Sequence, residues 1–574
     1  MSTVNSSRST LRFSGFELDP AGDLRSGGKK VKLQDQPLQI LRILTDHAGE
    51  IVTREELCQK IWPSDTFVDF DHGINNAIKR LREALGDTSD TPRYIETLPR
   101  RGYRFIGKIE SEAPRMRSLA VLPLEDLSHD PQQEYFAEGL TEALITALAK
   151  IGELRVVSRT SAMQYKGIRK PLREIAKELE VDAIVEGTVL RAGRRVRITA
   201  QLIDAPKETH LWAESYERDM RNVLVLQSEI AQAIAREVRV KLTPQEQAQF
   251  GQERPVDPEA YEAYLKGRYY WNRRSGEGLG KSVWYFEQAI LKDPTYAAAY
   301  SGLADGLTIS AAWSLLPPDE GCRKARKLAL QALGIDSSSA EAHASLAFAT
   351  MWYDYDFSTA EREFERSIEL NPRYATAHEW FGIMLGLMGR FNEAYTEAKR
   401  AMRLDPCSSV MPWALAFVYW CGRHYDEAIE QCQKSMELDS GFTPAYWQLG
   451  VVHLNQHAYG PAICALQRAD GLSPGVPMIS GYMGAAHAAA GDFDAAQKIL
   501  HRLDERSREQ YVSPYLFALI YAALDKKEEA LQWLEVGYER RAEWMVLLKT
   551  AAGMDSLRSE PRFQDLMRRM NFPL

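Results

Sequence analysis

The strongest constraint on the fold is a spacing that repeats through the C-terminal half of the chain. Six helix-forming runs end in similar segments, which read LKDP, GIDS, ELNP, RLDP, ELDS and GLSP. The segments are 43, 35, 34, 34 and 34 residues apart when measured between Asp293, Asp336, Asn371, Asp405, Asp439 and Ser473. A nearly constant period predicts a stack of similar helical units, each of which buries its apolar side against the next.

The residues inside each period resemble those of tetratricopeptide (TPR) repeats. Small residues recur where the two helices of a pair must approach closely, and a proline ends the second helix. Two units show the pattern most clearly, one with Phe381, Gly382, Leu385, Ala394, Ala398, Ala401 and Pro406, the other with Leu449, Gly450, Ala462, Leu466, Ala469 and Pro474. We therefore expect residues 257–574 to form an all-α TPR solenoid of about eight helix pairs with a terminal capping helix. The longest spacing, 43 residues, predicts an insertion at Trp313–Pro318.

A groove on the solenoid is the natural place for a partner, because such arrays bind peptides or proteins on their concave face. By analogy with TPR repeats, the positions that line this groove form an aromatic stripe of Phe348, Trp352, Trp413, Phe417, Trp420 and Trp447. We hypothesise that the stripe accepts a peptide or a part of the protein itself. The alternative is that these side chains only pack between the repeats.

Composition places any nucleic-acid contact in a local patch. The 574 residues exceed what one hydrophobic core supports, while the hydrophobic fraction of 45% and the charged fraction of 26% are ordinary for globular domains. The net charge of −8 excludes a polycation that coats nucleic acid over its whole surface. Residues 1–117 nevertheless hold 19 Lys or Arg against 17 Asp or Glu, so a small basic excess lies at the N-terminal end.

The first hundred residues predict a small α+β domain. Two short β-like segments, Leu11–Leu18 and Leu24–Leu33, with a Gly27-Gly28 turn, precede a helix over QPLQILRILTDHAG. Thr53 and Glu56 have the spacing of a capping box, which predicts the start of a second helix. A third helix is predicted over about Asp71–Leu85, and YIETLPRRGYRFIGKI then predicts a β-hairpin.

The third helix carries the chemistry of this domain. Its apolar residues Ile74, Ile78, Leu81 and Leu85 recur at helical spacing and define a buried face, whereas the other faces carry Asn75, Asn76, Lys79, Arg80 and Arg82. Asn can pair with two atoms of adenine in the major groove, and Arg or Lys can reach guanine or phosphate. The hairpin places Arg100, Arg101, Tyr103 and Arg104 around Gly102, which suits a wing that touches the minor groove or the DNA backbone. The alternative is a solvated, charged helix face without DNA.

Residues 11–108 resemble the OmpR/PhoB-type winged-helix DNA-binding domain. The resemblance rests on the leading β-segments, the I-x-x-x-I-x-x-L-R pattern of the third helix and the closing G-Y-R-F. It implies a recognition helix in the major groove of double-stranded DNA and tandem dimers on direct repeats. By this resemblance, base reading is carried over to Asn75, Asn76 and Lys79, and phosphate contacts to Arg80, Arg82 and Arg101. Arg100 and Tyr103 complete the candidate DNA-binding set as wing residues.

Two absences define the expected class of regulator. About ten residues precede the winged helix, which leaves no room there for a phospho-acceptor receiver domain. The following linker, SEAPRMR, is short and polar, whereas CadC-like regulators place a membrane helix after the winged helix. The expected protein is therefore a soluble, cytoplasmic, bacterial one-component regulator. Its N-terminal parts are a flexible segment at residues 1–10, the winged helix at 11–110 and the linker at 111–117.

The middle segment predicts a different, α/β domain. Strand-like and helix-like runs alternate from Ser118, with helices expected near Glu134–Ile151, Leu172–Glu180 and Leu224–Leu242 and strands at Leu154–Ser158, Asp182–Arg191, Arg195–Ile203 and His210–Tyr216. The runs AVLPLEDLSHDPQQEYFAEGLTEALITAL, LRVVSR and DAIVEGTVLRAGRRVRITAQLID resemble the TolB-type N-terminal module, which we assign to residues 118–242. The fold class is thus multidomain: winged helix, TolB-like α/β domain and all-α TPR solenoid.

Sequence motifs give no support for an enzyme. The segment SGEGLGKS ends like a phosphate-binding loop, but that motif requires Gly where Ser275 stands, and it follows a strand, whereas this segment lies between TPR-like helices. No G-x-S-x-G or H-E-x-x-H pattern occurs, and the six cysteines form no C-x-x-C pair. We expect no catalytic residues, no metal and no cofactor.

Three functions remain compatible with these patterns. The first is a DNA-binding transcriptional regulator whose TPR region binds a protein or peptide partner or relays a signal. The second is an interaction scaffold in which the winged helix mediates protein contacts, and the third is a ligand sensor in the middle domain that controls the DNA-binding domain. The basic, Asn-rich helix face joined to a Gly-Tyr wing favours the regulator. Its expected partners are double-stranded DNA and a protein or peptide, with RNA polymerase as a further candidate and no membrane.

Overall fold

The computed structural model describes residues 11–19, 23–27, 29–62, 70–110, 116–128, 130, 133–238, 240, 242–243, 255–272 and 276–572. The chain divides into two compact units, Met1–Arg115 and Met116–Leu574. The predicted flexible segment at residues 1–10 and most of the predicted linker, residues 111–115, lie outside the described residues. The predicted middle and C-terminal domains both fall within the second unit.

In its described residues, the first unit is an α+β fold of three helices and two small sheets. Its elements are β1 Leu11–Phe13, β2 Phe16–Leu18, β3 Leu24–Ser26, β4 Lys29–Lys30, α1 Asp35–Asp46, β5 Ile51–Val52, α2 Arg54–Ile61, α3 Phe70–Leu85, β6 Ile95–Leu98, β7 Gly102–Phe105 and β8 Ile109–Glu110. The antiparallel strands run in the order β4-β3-β2-β1-β8 in one sheet and β5-β7-β6 in the other. The predicted segment Leu24–Leu33 is present as β3 and β4, with Gly27 at φ +55° where the Gly27-Gly28 turn was predicted. The predicted segment Leu11–Leu18 is two short strands, because the chain turns at Ser14 and Gly15, which both have positive φ.

Local sequence rules explain the helix starts and the core of this unit. The predicted capping box is present, since Glu56 N–H donates to Thr53 Oγ1 at 3.2 Å and Thr53 N–H donates to Glu56 Oε2 at 2.8 Å. The apolar face of α3 is fully packed, with Ile74 and Leu81 at 0% exposure. It contacts Leu41 and Leu44 of α1, so that the opposite face of α3 is held toward solvent.

The second unit begins with a mixed sheet, one face of which is packed against helices while the other face is only partly covered. Its elements are β9 Ser118–Val121, β10 Glu125–Asp126, α4 Glu134–Ala149, β11 Arg155–Val156, α5 Arg159–Met163, α6 Leu172–Leu179, β12 Ala183–Ala192, β13 Arg195–Asp204, β14 Thr209–Asp219 and α7 Val223–Glu237. The strand order is β11-β9-β12-β13-β14, with β10 paired to β12. The pairs β9–β11, β9–β12 and β10–β12 are parallel, and the long β12, β13 and β14 are antiparallel.

Side chains along β9 alternate between the two faces of the sheet. Leu119 and Val121 belong to one apolar cluster with α4 and α7, whereas Ala120 and Leu122 belong to another with α6. The predicted strand at Leu154–Ser158 is shorter, because Ser158 caps helix α5, which the sequence analysis missed. β12 is shifted by one residue from the predicted Asp182–Arg191, whereas β13 and β14 are longer than predicted, and α7 ends five residues before the predicted Leu242.

The rest of the second unit consists of eight helix pairs among the described residues. The helices are α8 Pro258–Asn272, α9 Gly276–Lys292, α10 Ala297–Ala312, α11 Lys324–Ile335, α12 Ala340–Asp354, α13 Phe357–Leu370, α14 Ala375–Leu387, α15 Phe391–Leu404, α16 Val410–Cys421, α17 Tyr425–Leu438, α18 Thr443–Asn455, α19 Tyr459–Leu472, α20 Pro477–Ala489, α21 Phe493–Ser507, α22 Pro514–Ala523 and α23 Lys527–Glu539. A further helix, α24, covers Pro561–Arg569. Each helix packs on its pair mate, and first helices also contact first helices of neighbouring pairs, which is TPR-like packing.

The repeat residues have the roles that their size predicts. A Cβ on Gly382 of α14 would lie 3.1 Å from the backbone nitrogen of Ala398 on α15, so the two helices approach closely only with a small residue there. The long first spacing contains a turn after Trp313 and one π-helical turn at Asp319–Arg323. The segment resembling a phosphate-binding loop lies, from Gly276 on, inside α9.

The chain does not end as a simple open stack, because the segment after α23 folds back over the first helices of several pairs. Two 3₁₀ helices, Glu543–Leu547 and Ala552–Leu557, form this returning segment. Ser314 donates a hydrogen bond to the Glu543 carboxylate, and Tyr355 Oη donates to the Ala542 carbonyl at 3.1 Å. The aromatic rings of Trp352 and Trp544 lie 5.4 Å apart. Part of the surface predicted for a partner is therefore covered by the protein itself.

The α/β segment and the first helix pair share one hydrophobic core. Tyr261 and Leu265 of α8 join the cluster that contains Leu140 and Leu144 of α4. A Cβ on Gly139 would lie 2.7 Å from Leu265 Cδ2, so the glycine permits this close approach. The hairpin arginine Arg191 also reaches α8, where its Nη2 donates to Glu262 Oε2 at 2.7 Å.

Candidate functional site

The exposed face of α3 presents a short polar row. Asn75, Asn76, Lys79 and Arg80 are exposed, while Ala77 and Ile78 between them are buried. Within the part of the chain that the structure describes, no hydrogen bond or ion pair engages the side chains of Asn76 and Lys79. These two side chains therefore remain available to an outside ligand.

Asn75 is held differently, by a network that sequence analysis did not foresee. Its Oδ1 accepts one hydrogen bond from Arg54 Nη2 and one from Tyr103 Oη, both at 2.9 Å. The Arg54 guanidinium also donates to Tyr103 Oη at 2.9 Å and lies 5.3 Å from the centre of the tyrosine ring. Tyr103 is only 2% exposed, so its ring fills the core and its hydroxyl links the wing to α3. Arg54 lies 21 residues before Asn75, and no local motif signals the contact.

The two arginines that follow on α3 also have partners inside the unit. Arg80 donates to the side-chain oxygen of Gln34, the residue before α1. Arg82 Nη2 donates to the Ile95 carbonyl at 2.7 Å and to Thr97 Oγ1 at 2.8 Å. Arg82 therefore ties α3 to β6 of the hairpin, and Arg80 keeps an exposed position at the edge of the α3 face.

The wing tip is a tight turn between β6 and β7. Arg101 N–H donates to the Leu98 carbonyl at 3.0 Å, and Arg100 has φ +61°. Pro99 before a residue with positive φ is the arrangement of a type II turn. Both arginine side chains are exposed there, as predicted for a wing.

A buried carboxylate fixes the start of the hairpin to the end of α3. Asp87 Oδ1 accepts from the backbone N–H groups of Thr88 and Arg93 at 2.9 and 2.7 Å. Its Oδ2 accepts from those of Tyr94 and Ile95 at 3.1 and 2.8 Å. Asp87 is 7% exposed, and the four bonds set the position of the wing relative to α3.

The predicted aromatic stripe divides between two cavities. Phe348, Trp352, Trp413, Phe417 and Trp447 line one cavity of about 50 Å³. Trp420 lines a second, of about 440 Å³, and its indole N–H donates to Asn455 Oδ1 at 2.5 Å. Phe348, Trp352, Phe417, Trp420 and Trp447 are all nearly buried, and only Trp413 is partly exposed. The aromatic residues thus line two partly open cavities, and their role in partner binding stays a prediction.

Two protein-family models match segments in the N-terminal half of the chain. Residues 28–105 match the family described as "Transcriptional regulatory protein, C terminal". Residues 115–233 match the family described as "HilA/YgeH-like transcriptional regulator, second domain". Both matches are to families of transcriptional regulators, in agreement with the predicted class of protein, and the first lies within the segment predicted as an OmpR/PhoB-type winged helix.

Individual relatives cover parts of the chain. It is 37% identical over 243 residues to "Putative adenylate cyclase 3" of Rhizobium meliloti, which is 42% of this chain and 41% of that protein. It is 23% identical over 402 residues to "Transcriptional regulator HilA" of Salmonella typhimurium, which is 69% of this chain and 70% of that protein. The crystal structure of the Klebsiella pneumoniae RstA DNA-binding domain in complex with the RstA box is 31% identical, with a TM-score of 0.16, and covers 17% of this chain and 98% of that chain. The chain thus spans about two fifths of the length of the Rhizobium meliloti protein.

Two features are absent from the described residues. None of their helices combines the length and the apolar character needed to cross a membrane. In the same residues, no three His, Cys, Asp or Glu side chains are grouped so that they could hold a metal ion.

Proposed function

We propose that this regulator binds double-stranded DNA by placing α3 in the major groove and the wing tip against the adjacent backbone. The observation that supports this is the exposed row of Asn76, Lys79 and Arg80 on a helix whose opposite face is locked into the core. An amide, an ammonium group and a guanidinium group on one helix face can reach base edges and phosphates together.

The contacts divide the candidate residues into two roles. Asn76 and Lys79 read bases, because they are exposed and no hydrogen bond or ion pair engages their side chains among the described residues. Arg80, Arg100 and Arg101 contact phosphates, because they are exposed, and the bond from Arg80 to Gln34 lies at the surface, where a phosphate can replace it. Asn75, Arg82 and Tyr103 hold the helix and the wing in position, because each is already bonded within the unit. Base reading by Asn75 would require its Oδ1 to release Arg54 or Tyr103, since that oxygen accepts from both.

The second unit supplies the regulatory part of the proposal. We propose that residues 118–242 are a TolB-type module and that the helical repeats are TPR repeats that bind a protein or peptide in the cytoplasm. The α/β order of the first part and the 34-residue period of the second support these assignments. RNA polymerase and a second copy on tandem half-sites remain predictions, as does the expectation that the chain is not an enzyme.

Selection of genomic fragments by the full-length protein tests the proposal. Bound fragments should share a sequence, and log K should fall linearly with log salt concentration by about 0.9 per phosphate contacted. Asn76→Ala should relax the preference for one base position, at a cost of about 1–3 kcal/mol in binding free energy. Arg101→Ala should weaken binding to all DNA sequences and reduce the salt slope by about 1.

Arg508→Ala is the matched charge control, because Arg508 is exposed on the helical unit. It should leave affinity and salt slope unchanged. Failure to enrich any sequence at low salt would support the scaffold function. If Asn76→Ala and Arg101→Ala each weakened binding to specific and to nonspecific DNA by the same factor, the assignment of base reading to Asn76 and of phosphate contact to Arg101 would be wrong.

A further inference from the structure

The smaller cavity is lined by more tryptophan side chains than packing of a hydrophobic core requires. Six of the twelve tryptophans of the chain line it, namely Trp313, Trp352, Trp380, Trp413, Trp447 and Trp544. They come from several helix pairs and, in the case of Trp544, from the returning C-terminal segment. Aliphatic side chains fill space between helices equally well, so a lining of indole rings indicates recognition chemistry.

One acidic group lies among these rings. Glu379 of α14 lines the cavity and is only 2% exposed, and it is the sole acidic or basic side chain among the described residues that line the space. Aromatic faces attract cations through their negative π-electron surface, and a carboxylate buried beside them adds to that attraction. The electrostatic character of the lining therefore complements a positively charged group.

Unused hydrogen-bond donors give a second, independent indication of a ligand. The indole N–H groups of Trp352, Trp413, Trp447 and Trp544 have no acceptor among the described residues. Three of these tryptophans are at least nine-tenths buried, with Trp352 at 3%, Trp447 at 1% and Trp544 at 5% exposure. Buried donors are almost always satisfied in native proteins, so oxygen acceptors belonging to a ligand would complete them.

Size limits the charged group further. The cavity volume is about 50 Å³. A single water needs roughly 10–15 Å³ by this measure, so the space holds a group of about four non-hydrogen atoms. A guanidinium group has this size, is planar and stacks on aromatic rings. Trp313 and Trp413 are the partly exposed members of the set, so the opening lies on their side.

We propose that this cavity, the tryptophan cage, binds the side chain of a basic amino acid, with arginine as the best fit. The guanidinium group would lie among the rings and beside Glu379, and neighbouring carbonyl or carboxylate oxygens of the ligand would accept from the free indole N–H groups. This inference rests on the proposed partner binding by the helical repeats and names the chemistry of that partner. The ligand is either an arginine residue of a peptide or the free amino acid, since both offer a cation beside oxygen acceptors.

Titration of the full-length protein by calorimetry and tryptophan fluorescence tests the proposal. The probes are N-acetyl-arginine methylamide, free arginine and N-acetyl-citrulline methylamide, which has the shape of the first probe without its charge. The first probe should bind saturably and at least about tenfold more tightly than the citrulline compound. Tighter binding of the amide than of free arginine identifies a peptide as the source, and the reverse order identifies the free amino acid.

Glu379→Gln should weaken binding of the arginine amide by at least about tenfold. The matched control is Glu430→Gln, which removes an exposed carboxylate from α17 and should have no effect. Equal affinity for the arginine and citrulline compounds overturns the proposal, as does the absence of saturable binding below about 10 mM. The comparison of these two probes on the unaltered protein decides the question even if Glu379→Gln does not fold. DNA selection measures the proposed function separately, so failure of one does not imply failure of the other.

Discussion

The carboxylate of Glu142 on α4 accepts two hydrogen bonds from the guanidinium of Arg268 on α8, at 2.9 Å from Nε and 2.6 Å from Nη2. Arg159 Nε lies 3.2 Å from the same carboxylate, and Asn272 donates to it at 2.9 Å. Burial alone would raise the pKa of Glu142, but Arg268 and Arg159 outweigh that effect and the pKa is lowered. The α/β segment is thus joined to the first helix pair by a buried charged cluster as well as by a shared apolar core.

The first prediction concerns this cluster. Arg268→Met should lower the midpoint of urea unfolding, because it leaves the buried Glu142 carboxylate with too little compensating charge, at a cost of about 3 kcal/mol. Replacing both partners, with Glu142→Leu and Arg268→Met, should recover most of that loss. Lys281→Ala is the control, since the Lys281–Glu277 pair is exposed and worth less than about 1 kcal/mol. Equal destabilisation by the single and double changes would contradict the prediction.

The second prediction concerns Gly102, where the wing passes β5. Its φ is +143°, and a Cβ at this position would lie 2.1 Å from the Val52 carbonyl oxygen. Gly102→Ala should therefore unfold the winged helix or displace the wing, with a loss of more than about 4 kcal/mol, measured by thermal unfolding and by DNA binding. Gly27→Ala is the control in the same unit, because its φ is also positive at +55° but nothing lies within 4 Å. A loss no greater for Gly102→Ala than for Gly27→Ala would show that the contact relaxes without cost.

The third prediction concerns Asp87, which accepts four backbone N–H groups. Asp87→Ala leaves these donors without their acceptor, and at about 1–3 kcal/mol for an unsatisfied buried group the winged helix should melt at a clearly lower temperature. Asp87→Asn should also be destabilising, because one of its side-chain atoms becomes a donor that faces other donors. Asp90→Ala, which removes only a bond at 3.1 Å from Ser89 Oγ, should have little effect in the same melting experiment.

The fourth prediction concerns the pH dependence of the returning C-terminal segment. Burial raises the pKa of Glu543 above its usual 4.5, although Ser314 and Tyr511 donate hydrogen bonds to it. A raised folded-state pKa means that the carboxyl group contributes its full stability below pH 4.5 and loses it as pH rises through the folded-state value. Each unit of the difference is worth about 1.4 kcal/mol.

Glu543→Gln removes that titration. The stability of the unaltered protein relative to Glu543→Gln should therefore fall as pH increases from 4.5 toward neutrality, as measured by denaturant unfolding at a series of pH values. The control is Glu539→Gln, at the exposed end of α23. The stability of the unaltered protein relative to this variant should not fall as pH increases. A difference that grows with pH for Glu543→Gln would reverse the sign and exclude the explanation by burial.

Helix α3 shows where sequence reasoning succeeded and where it did not. The period of Ile74, Ile78 and Leu81 identifies the buried face of α3, because helical geometry relates residues three and four apart directly. The same pattern does not distinguish Asn75 from Asn76, although one is bonded to Arg54 and Tyr103 and the other is available to DNA. That difference depends on which side chains the tertiary fold brings beside each amide.

The amino-acid sequence by itself determined the winged helix, the α/β order of the middle segment and the helical period, because each follows from short-range patterns of apolar, capping and small residues. Only the tertiary structure decided that the returning segment places Trp544 beside Trp352 and Trp447. The tertiary structure alone also decided that Glu142 accepts a hydrogen bond from Arg268, 126 residues away. The physical reason is that such contacts form between elements remote in the chain, whose relative placement depends on how all their surfaces pack together.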